Sequence, residues 1–136
     1  MKKLRRALTT LLVATLALGA AAGQQLSIRL VEASQQGGSS SPELADVTAI
    51  LSRNLPFANF TLQGSRKISL PAEQAVVQIG GYSLTCNGSQ QDLQLAIRRG
   101  GRVLVSTILR LTDGTPVIVG GFSSANGKQI FVLVAQ

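Results

Sequence analysis

The sequence predicts an α+β fold: a mostly antiparallel sheet of about six to eight strands, folded as a sandwich or half-barrel, with one amphipathic helix near the N-terminus. Two observations lead to this prediction. Short segments alternate apolar and polar residues between Gly-Gly, Asn-Gly or Asp-Gly pairs, a pattern typical of strands joined by tight turns. After residue 23, one segment instead carries apolar residues at helical spacing.

The first 23 residues have the pattern of a secretory signal peptide. A basic start precedes an apolar stretch of about a dozen residues, 11–22, and small residues surround the expected cleavage point after Ala22 or Gly23. This stretch is shorter than the roughly 20 residues that a transmembrane helix needs, which favours a cleaved signal peptide over the alternative, an uncleaved N-terminal anchor. We expect residues 1–23 to be removed from a bacterial protein. Residues 24–136 then form a single β-rich exported domain that is periplasmic, outer-membrane-associated or secreted.

The start of this domain is predicted as a strand, a polar loop and a helix. Residues 26–31 alternate as a strand with Arg29 on its exposed face, and residues 32–34 close it. The Gly/Ser-rich loop 35–41 leads into Ser41-Pro42, a typical helix start. The apolar stripe of the helix is Leu44, Val47, Ile50, Leu51 and Leu55. We expect this stripe to pack on the sheet rather than on a membrane, because the polar face has few basic residues.

Three strands are predicted in the middle of the chain, at residues 57–62, 68–71 and 76–86. A turn at residues 64–67 separates the first two. The apolar phase changes at Gly80-Gly81, which predicts a bulge or a sharp bend inside the third strand. Asn87-Gly88 then predicts a hairpin turn.

The C-terminal part, residues 93–136, is predicted as an antiparallel meander. Its strands are residues 93–97, 103–111, 117–119 and 130–135. The turns lie at Gly100-Gly101, at residues 113–116 and at Asn126-Gly127, and Gly120-Gly121 is expected to end the third strand. The last strand is apolar throughout, which predicts burial on both faces or a place at the centre of a sheet.

Two segments forty residues apart share a pattern of Ile or Val, Gly-Gly, an aromatic residue and Ser, at residues 78–83 and 118–123. They predict two similar hairpins, with Tyr82 and Phe122 in comparable places. The alternative is that such turns simply recur in small β proteins.

The charge of the domain is modest once the leader is set aside. Residues 24–136 carry nine basic and six acidic residues, a net charge of +3. Arg98, Arg99 and Arg102 surround one predicted turn, where they form a candidate anion-binding tip for phosphate or anionic lipid. The alternative is a solvated tip that keeps a sheet edge soluble. Few aromatic residues are present to stack on bases, which argues against a nucleic-acid partner.

The last strand offers a second candidate site. If the strand of Ile130, Val132 and Val134 lies at a sheet edge, it is a candidate strand-pairing edge for another chain.

Catalytic and metal-binding patterns are missing from the sequence. Cys86 is the single cysteine, and its spacing from Tyr82 and Leu84 predicts a small buried side chain; an intermolecular disulfide or a reactive thiol is the alternative. The chain has no histidine, and its six acidic residues show no metal-binding or catalytic spacing. We therefore expect no metal, no cofactor and no enzymatic activity. A secreted enzyme of unrecognised type is the alternative.

Two segments resemble parts of a known family. Residues 26–34 (LSIRLVEAS) end in Val-Glu-x-Ser, and residues 111–121 (LTDGTPVIVGG) place Val-Ile-Val-Gly-Gly after Asp-Gly. They resemble a strand and a late hairpin of the outer-membrane domain of bacterial secretins, the ring-forming channels of type II and type III secretion and type IV pili. A secretin is several times longer, and this chain has no room for its membrane-spanning hairpins. The resemblance therefore implies a relative or an accessory domain in the envelope rather than a channel.

The function expected from these features is that of a non-catalytic exported envelope protein, an interaction or structural domain. The secretin resemblance implies an association with a secretion or pilus apparatus. The expected partner is another envelope protein or a second copy of the chain, and no transmembrane segment is expected after residue 23. The alternative is a periplasmic or secreted binder of an anionic ligand at the basic tip.

Overall fold

The computed structural model describes residues 24–35 and 40–136, which form two antiparallel sheets of four strands each and a short helical segment. The strands are β1 Gln24–Ser34, β2 Asn59–Leu70, β3 Ala72–Ile79, β4 Tyr82–Ser89, β5 Asp92–Arg99, β6 Arg102–Leu109, β7 Val117–Ser123 and β8 Gly127–Ala135. This architecture confirms the predicted α+β fold. The predicted signal peptide, residues 1–23, and most of the predicted polar loop lie outside the described residues.

The two sheets stack as a sandwich around the main core. Sheet A has the strand order β2-β1-β8-β7, and sheet B has the order β3-β4-β5-β6. Alternate residues of each strand point between the sheets, as the period of two requires. The buried side chains of this core include Leu26, Ile28, Leu30, Ile79, Tyr82, Leu84, Cys86, Leu93, Leu95, Ile97, Phe131 and Leu133.

The helical segment covers the other face of sheet A. It consists of a 3-10 turn, Pro42–Leu44, followed by helix α1, Thr48–Asn54. Four residues of its apolar stripe pack in a second core against sheet A, as predicted: Leu44, Val47, Leu51 and Leu55. The α-helix begins later than predicted, at Thr48, because Ser41-Pro42 opens the 3-10 turn instead, and the Ser41 side chain makes no cap hydrogen bond. Its hydroxyl oxygen accepts the backbone N–H of Leu62 on β2 at 3.0 Å.

Sheet B repeats every ten residues: each strand has eight residues, and each turn has two. The turn between β3 and β4 is Gly80-Gly81, with φ of 52° and 88°, and the turn between β5 and β6 is Gly100-Gly101, with φ of 59° and 80°. Two positive φ values suit a tight hairpin turn. The predicted single strand 76–86 is therefore two strands of a hairpin.

The turn between β4 and β5 corrects another prediction. Asn87-Gly88 lies inside β4, paired with Gln94 and Leu93, and the chain turns at residues 90–91 instead. Gly88 is nonetheless required, because its φ is 116° and a Cβ there would clash with the Asp92 carbonyl oxygen.

In sheet A, strands continue at three places where the sequence predicted a turn or a strand end. Residues 32–34 continue β1, and residues 64–67 lie within β2, paired with β1. A Cβ on Gly64 would stand 2.7 Å from the Ile79 side chain of sheet B, so this glycine permits close sheet packing. Gly120-Gly121 does not end its strand but forms a bulge within β7.

The predicted C-terminal meander is divided between the sheets. The hairpin β5–β6 belongs to sheet B, and the hairpin β7–β8 belongs to sheet A. The connecting residues 110–116 carry the predicted turn, with Gly114 at φ 73°. Strand β8 lies between β1 and β7, which confirms the predicted central position of the last apolar strand.

Arg29 corrects the prediction of an exposed side chain, since only 12% of its side chain is exposed. Both faces of β1 are covered, so Arg29 lies below the helical segment. Its guanidinium makes a bidentate ion pair with Asp46, with both N–O distances at 2.9 Å. This arrangement holds the pKa of the Asp46 carboxyl below its ordinary value.

Candidate interaction surface

The three arginines of the predicted basic tip have different surroundings. Arg98 ends the ladder between β4 and β5, and Arg102 begins β6; both are exposed. Arg99 donates a hydrogen bond from Nη1 to the Tyr82 hydroxyl at 2.7 Å, and its guanidinium carbon stands 4.8 Å from the centre of the Tyr82 ring. Arg99 is therefore held by the fold, and Arg98 and Arg102 remain available to a ligand.

Tyr82 is the centre of a polar network that joins the two sheets. Its hydroxyl donates to Gln129 Oε1 at 2.6 Å, and Gln129 Nε2 donates to Gln63 Oε1 at 2.7 Å. Gln63 Nε2 in turn donates to Glu32 Oε1 at 3.3 Å. Burial raises the pKa of the Tyr82 phenol, and the nearby Arg99 opposes that rise. The network is a structural clamp at one end of the sandwich.

Three aromatic rings pack beside this clamp. The Tyr82 ring centroid lies 5.5 Å from that of Phe122 and 5.2 Å from that of Phe131. Tyr82 and Phe122, which the sequence pattern placed in comparable positions, are in contact with each other. The two segments are not equivalent hairpins, however, because Gly80-Gly81 forms a turn and Gly120-Gly121 lies inside a strand.

The candidate pairing edge at Ile130, Val132 and Val134 is wrong. Strand β8 is an interior strand, and Ile130 and Val132 have strand neighbours on both sides. All three side chains are buried in the second core beneath the helical segment. A strand flanked on both sides has no backbone groups to offer a partner.

The edges of the two sheets are β2, β7, β3 and β6. The edge of β2 is covered where it begins. The N–H of Ser41 donates to the Phe60 carbonyl oxygen at 2.9 Å, and the N–H groups of Phe60 and Leu62 donate to the hydroxyls of Ser40 and Ser41 at 3.0 Å. These bonds occupy backbone groups that another strand would need.

Bulges distort the edges of β3 and β7. In β3 the register shifts between Ala72 and Ala75, and Gln74 adopts a φ of 49°. In β7 the register shifts between Gly120 and Phe122, and Pro116 precedes the strand. Bulges and proline at an edge are devices that discourage pairing with another chain.

The edge of β6 also contains a bulge, because the register with β5 skips Leu104, and the edge is regular beyond that point. Residues 105–109 pair with β5 in unbroken register and contain no Lys, Pro or Gly. Their other side has no strand neighbour within the described part of the chain. Sequence reasoning missed this edge, because an edge is defined by the order of strands in the sheet.

The sandwich is also incompletely covered between β6 and β7. Six half-buried apolar side chains on these strands pack against the main core: Leu104, Val105, Leu109, Val117, Val119 and Phe122. On the opposite side, β2 continues directly into β3 through the buried residues Leu70 and Ala72. We call the β6–β7 side, with the β6 edge, the open side of the sandwich.

The outer face of sheet B adds a shallow groove next to this edge. Its volume is about 580 Å³, and small side chains, Thr85, Ala96 and Ser106, form a row across its floor. Among residues 24–35 and 40–136, three large apolar side chains are exposed: Val103 and Ile108 on β6, at 53% and 63%, and Val76 on the opposite edge strand β3, at 59%. The two on β6 adjoin the open side of the sandwich.

Positive charge is concentrated at the same place. Residues 92–110 contain four arginines and one acidic residue, and the rest of residues 24–136 contain five basic and five acidic residues. The net charge of the domain is therefore that of β5, β6 and Arg110. No carboxylate in residues 24–35 or 40–136 forms an ion pair with Arg98, Arg102 or Arg110.

The described residues show little that points to catalysis. No group of three or more His, Cys, Asp or Glu side chains among them is arranged to hold a metal ion. Cys86 is buried, as predicted, and burial raises the pKa of its thiol to about 11. Within the same residues, no helix is long and apolar enough to cross a membrane.

Comparisons with known proteins assign no family. No protein-family model, curated protein or solved structure matches the chain. The segments that carry the secretin resemblance lie in β1 and in the connection from β6 into β7. Strands β1 and β7 belong to sheet A, where β8 separates them.

Proposed function

We propose that the chain is a non-catalytic exported interaction domain of the bacterial envelope. It binds another protein through the open side and the neighbouring outer face of sheet B. The observation that carries this proposal is the regular edge segment of β6, residues 105–109, which adjoins half-buried core side chains and is flanked by arginines. The signal-peptide pattern of residues 1–23 supports export.

Edge pairing is the physical basis of the proposal. An edge strand presents a row of backbone N–H and C=O groups, and natural proteins usually shield such a row. Bulges lie in β3, β6 and β7, and β2 is covered where it begins. Residues 105–109 of β6 form a regular stretch of edge, and the arginines around them distinguish it from the equally regular residues 75–79 of β3. A partner that pairs with β6 also covers the apolar side chains between β6 and β7, which adds hydrophobic stabilisation.

The secretin resemblance of residues 26–34 and 111–121 suggests where the partner is found. We propose a component of a secretion or pilus apparatus in the envelope. Both segments lie in sheet A or its connection to β6, so neither occupies the β6 edge.

A second candidate function is the binding of an anionic ligand at the β5–β6 turn. The exposure of Arg98 and Arg102 favours it. Arg99 takes no direct part, because its guanidinium is engaged by Tyr82. Salt-sensitive binding that is lost on substitution of Arg98 and Arg102, and kept on substitution of Ile108, would favour this function.

The proposal is tested by the native size of the protein in its bacterial host. The full chain is expressed at native level, and periplasm, gently extracted outer membrane and medium are sized by chromatography with light scattering. We expect a complex larger than the monomer, which Val103→Ser with Ile108→Ser dissociates. Val76→Ser is the matched control, because Val76 is about as exposed as Ile108 but lies at the opposite edge of sheet B. A monomer in every fraction would overturn the proposal.

A further inference from the structure

We infer that the partner contributes an extended, acidic segment, which adds to the β6 edge as a further strand of sheet B. This inference rests on the proposed function, since it specifies the chemistry of the partner at the same surface. Backbone pairing, side-chain alternation and charge each contribute to it. An unpaired edge could bind a second copy of the chain, the leader of this chain or a segment of another protein, and the charges favour the last of these.

Backbone pairing sets the length of the segment. In an antiparallel ladder, the N–H and C=O groups of alternate residues point to one neighbour, and those of the residues between them point to the other side. Strand β6 uses one set for β5, so its second set points outward. Residues 105–109 span roughly 16 Å at about 3.3 Å per residue, which accommodates an added strand of about five paired residues.

Side-chain alternation sets the pattern of the segment. Val105, Thr107 and Leu109 of β6 are half-buried and lie opposite core residues of β5. Ser106 and Ile108 point to the outer groove. An added strand has the same pleat as its neighbour, so every second residue faces the open side of the sandwich. We expect apolar residues at those positions and small or polar residues between them.

The arginines around β6 predict which residues lie at the two ends of the bound segment. Arg102 begins β6 and Arg110 follows it, so an exposed arginine stands at each end of the edge. Asp92, at the start of β5, is the single acidic residue in this part of the sheet. A segment with Asp or Glu near both ends gains favourable electrostatic contacts, and these also increase the rate of encounter.

The same arginines disfavour two other occupants. If β6 paired in antiparallel fashion with β6 of a second copy, Arg102 of each chain would lie near Arg110 of the other, and like charges at an interface are unfavourable. The leader of this chain, residues 1–23, contains four basic residues and no acidic one. An acidic segment from a different protein is therefore the occupant that the charges favour.

The test is a selection of peptides followed by mapping of the bound site. A library of random twelve-residue peptides is selected on the purified full-length protein at low salt. We expect enrichment of peptides with alternating apolar residues and acidic ends. Amide hydrogen exchange of the protein with a selected peptide should then show new protection at alternate residues between 105 and 109.

Charge-reversed variants test the role of the arginines. Arg102→Glu with Arg110→Glu should weaken binding of a selected acidic peptide on the order of tenfold or more, an effect that added salt reduces. The matched control is Arg53→Glu with Arg66→Glu, which reverses two exposed arginines of the helical segment and β2. The control should leave peptide affinity unchanged, and thermal unfolding establishes that both variants are folded.

Several results would overturn the inference. The selection could yield no peptide or only basic peptides, and the bound peptide could protect amides away from β6. The control variant could lose as much affinity as the test variant, or the outward-pointing amides of residues 105–109 could already be protected in the purified protein. The last result would mean that this chain or a second copy covers the edge. If the envelope complex forms and depends on Ile108 while any of these results is found, the proposed function stands and this inference alone fails.

Discussion

Replacing Arg99 with methionine should destabilise the fold, whereas the same replacement at Arg98 or Arg102 should not. Methionine keeps an unbranched stem but removes the charged hydrogen bond to Tyr82 and the contact of the guanidinium with the ring. Hydrogen bonds to charged groups contribute about 1.5–3 kcal/mol when buried. Arg99 is largely exposed, so we discount that range to about 1 kcal/mol.

Tyr82→Phe should cost more, about 2 kcal/mol, because the buried hydroxyl also donates to Gln129. In the double variant, Arg99→Met with Tyr82→Phe, the hydrogen bond between Arg99 and Tyr82 can be lost only once. The two changes together should therefore cost less than their separate effects, by about 1 kcal/mol. Urea unfolding measures each free energy, and for a domain of this size 1 kcal/mol corresponds to roughly 4 °C in Tm.

Two results would refute this reasoning. One is equal stability of the Arg98, Arg99 and Arg102 variants, which would show that the clamp contributes nothing in solution. The other is strict additivity of Arg99→Met and Tyr82→Phe, which would show that their effects arise from separate contacts. The Arg98 variant is the closest control, because Arg98 is the sequence neighbour of Arg99 and is likewise exposed.

Three further predictions concern individual positions. Gly127→Ala should lower the free energy of unfolding by about 2 kcal/mol in urea titration, because a Cβ there would clash with the Ala33 carbonyl oxygen. Cys86 should resist thiol reagents at pH 8 and react only after unfolding, because it is buried and its pKa is about 11. The ion pair with Arg29 lowers the pKa of Asp46. The stabilisation of the fold by this pair is therefore present when the pH is above 3.8, the ordinary pKa of the carboxyl, and is lost as the pH falls through the folded-state pKa. Asp46→Asn should thus cost about 0.5 kcal/mol at pH 7 and less under acid conditions, as measured by unfolding at each pH.

Local chemistry made most strands predictable, and the errors fall where a glycine serves packing instead of turning. Gly100-Gly101 forms the tight turn that the sequence pattern predicts, and Gly80-Gly81 forms a tight turn where a bulge or a sharp bend was expected. Gly64, by contrast, permits close approach of Ile79 from the opposite sheet. Nothing near Gly64 in the sequence signals that contact, because Ile79 is brought there by the stacking of the sheets.

The candidate site was less predictable, because it depends on neighbours that are distant in sequence. Arg98, Arg99 and Arg102 form one basic group in the sequence, and Arg99 is distinguished by Tyr82 from the neighbouring strand. Ile130 and its neighbours were considered as an edge because they are apolar. Their apolar character instead reflects burial in the middle strand of sheet A. The edge at β6 was missed because the order of strands in a sheet cannot be read from the local pattern of the sequence.

The contrast between β8 and β6 explains why an accessible edge need not be the most hydrophobic strand. An exposed strand with the composition of β8 would aggregate before it met a partner, because apolar edges pair without selectivity. Strand β6 places Arg102 and Arg110 at its ends and keeps its apolar residues half-buried between them. The arginines repel a second copy and attract an acidic segment, so the edge stays available to a partner while self-association is disfavoured. This combination of a regular edge and like charges at both ends is what a selective strand-pairing surface requires.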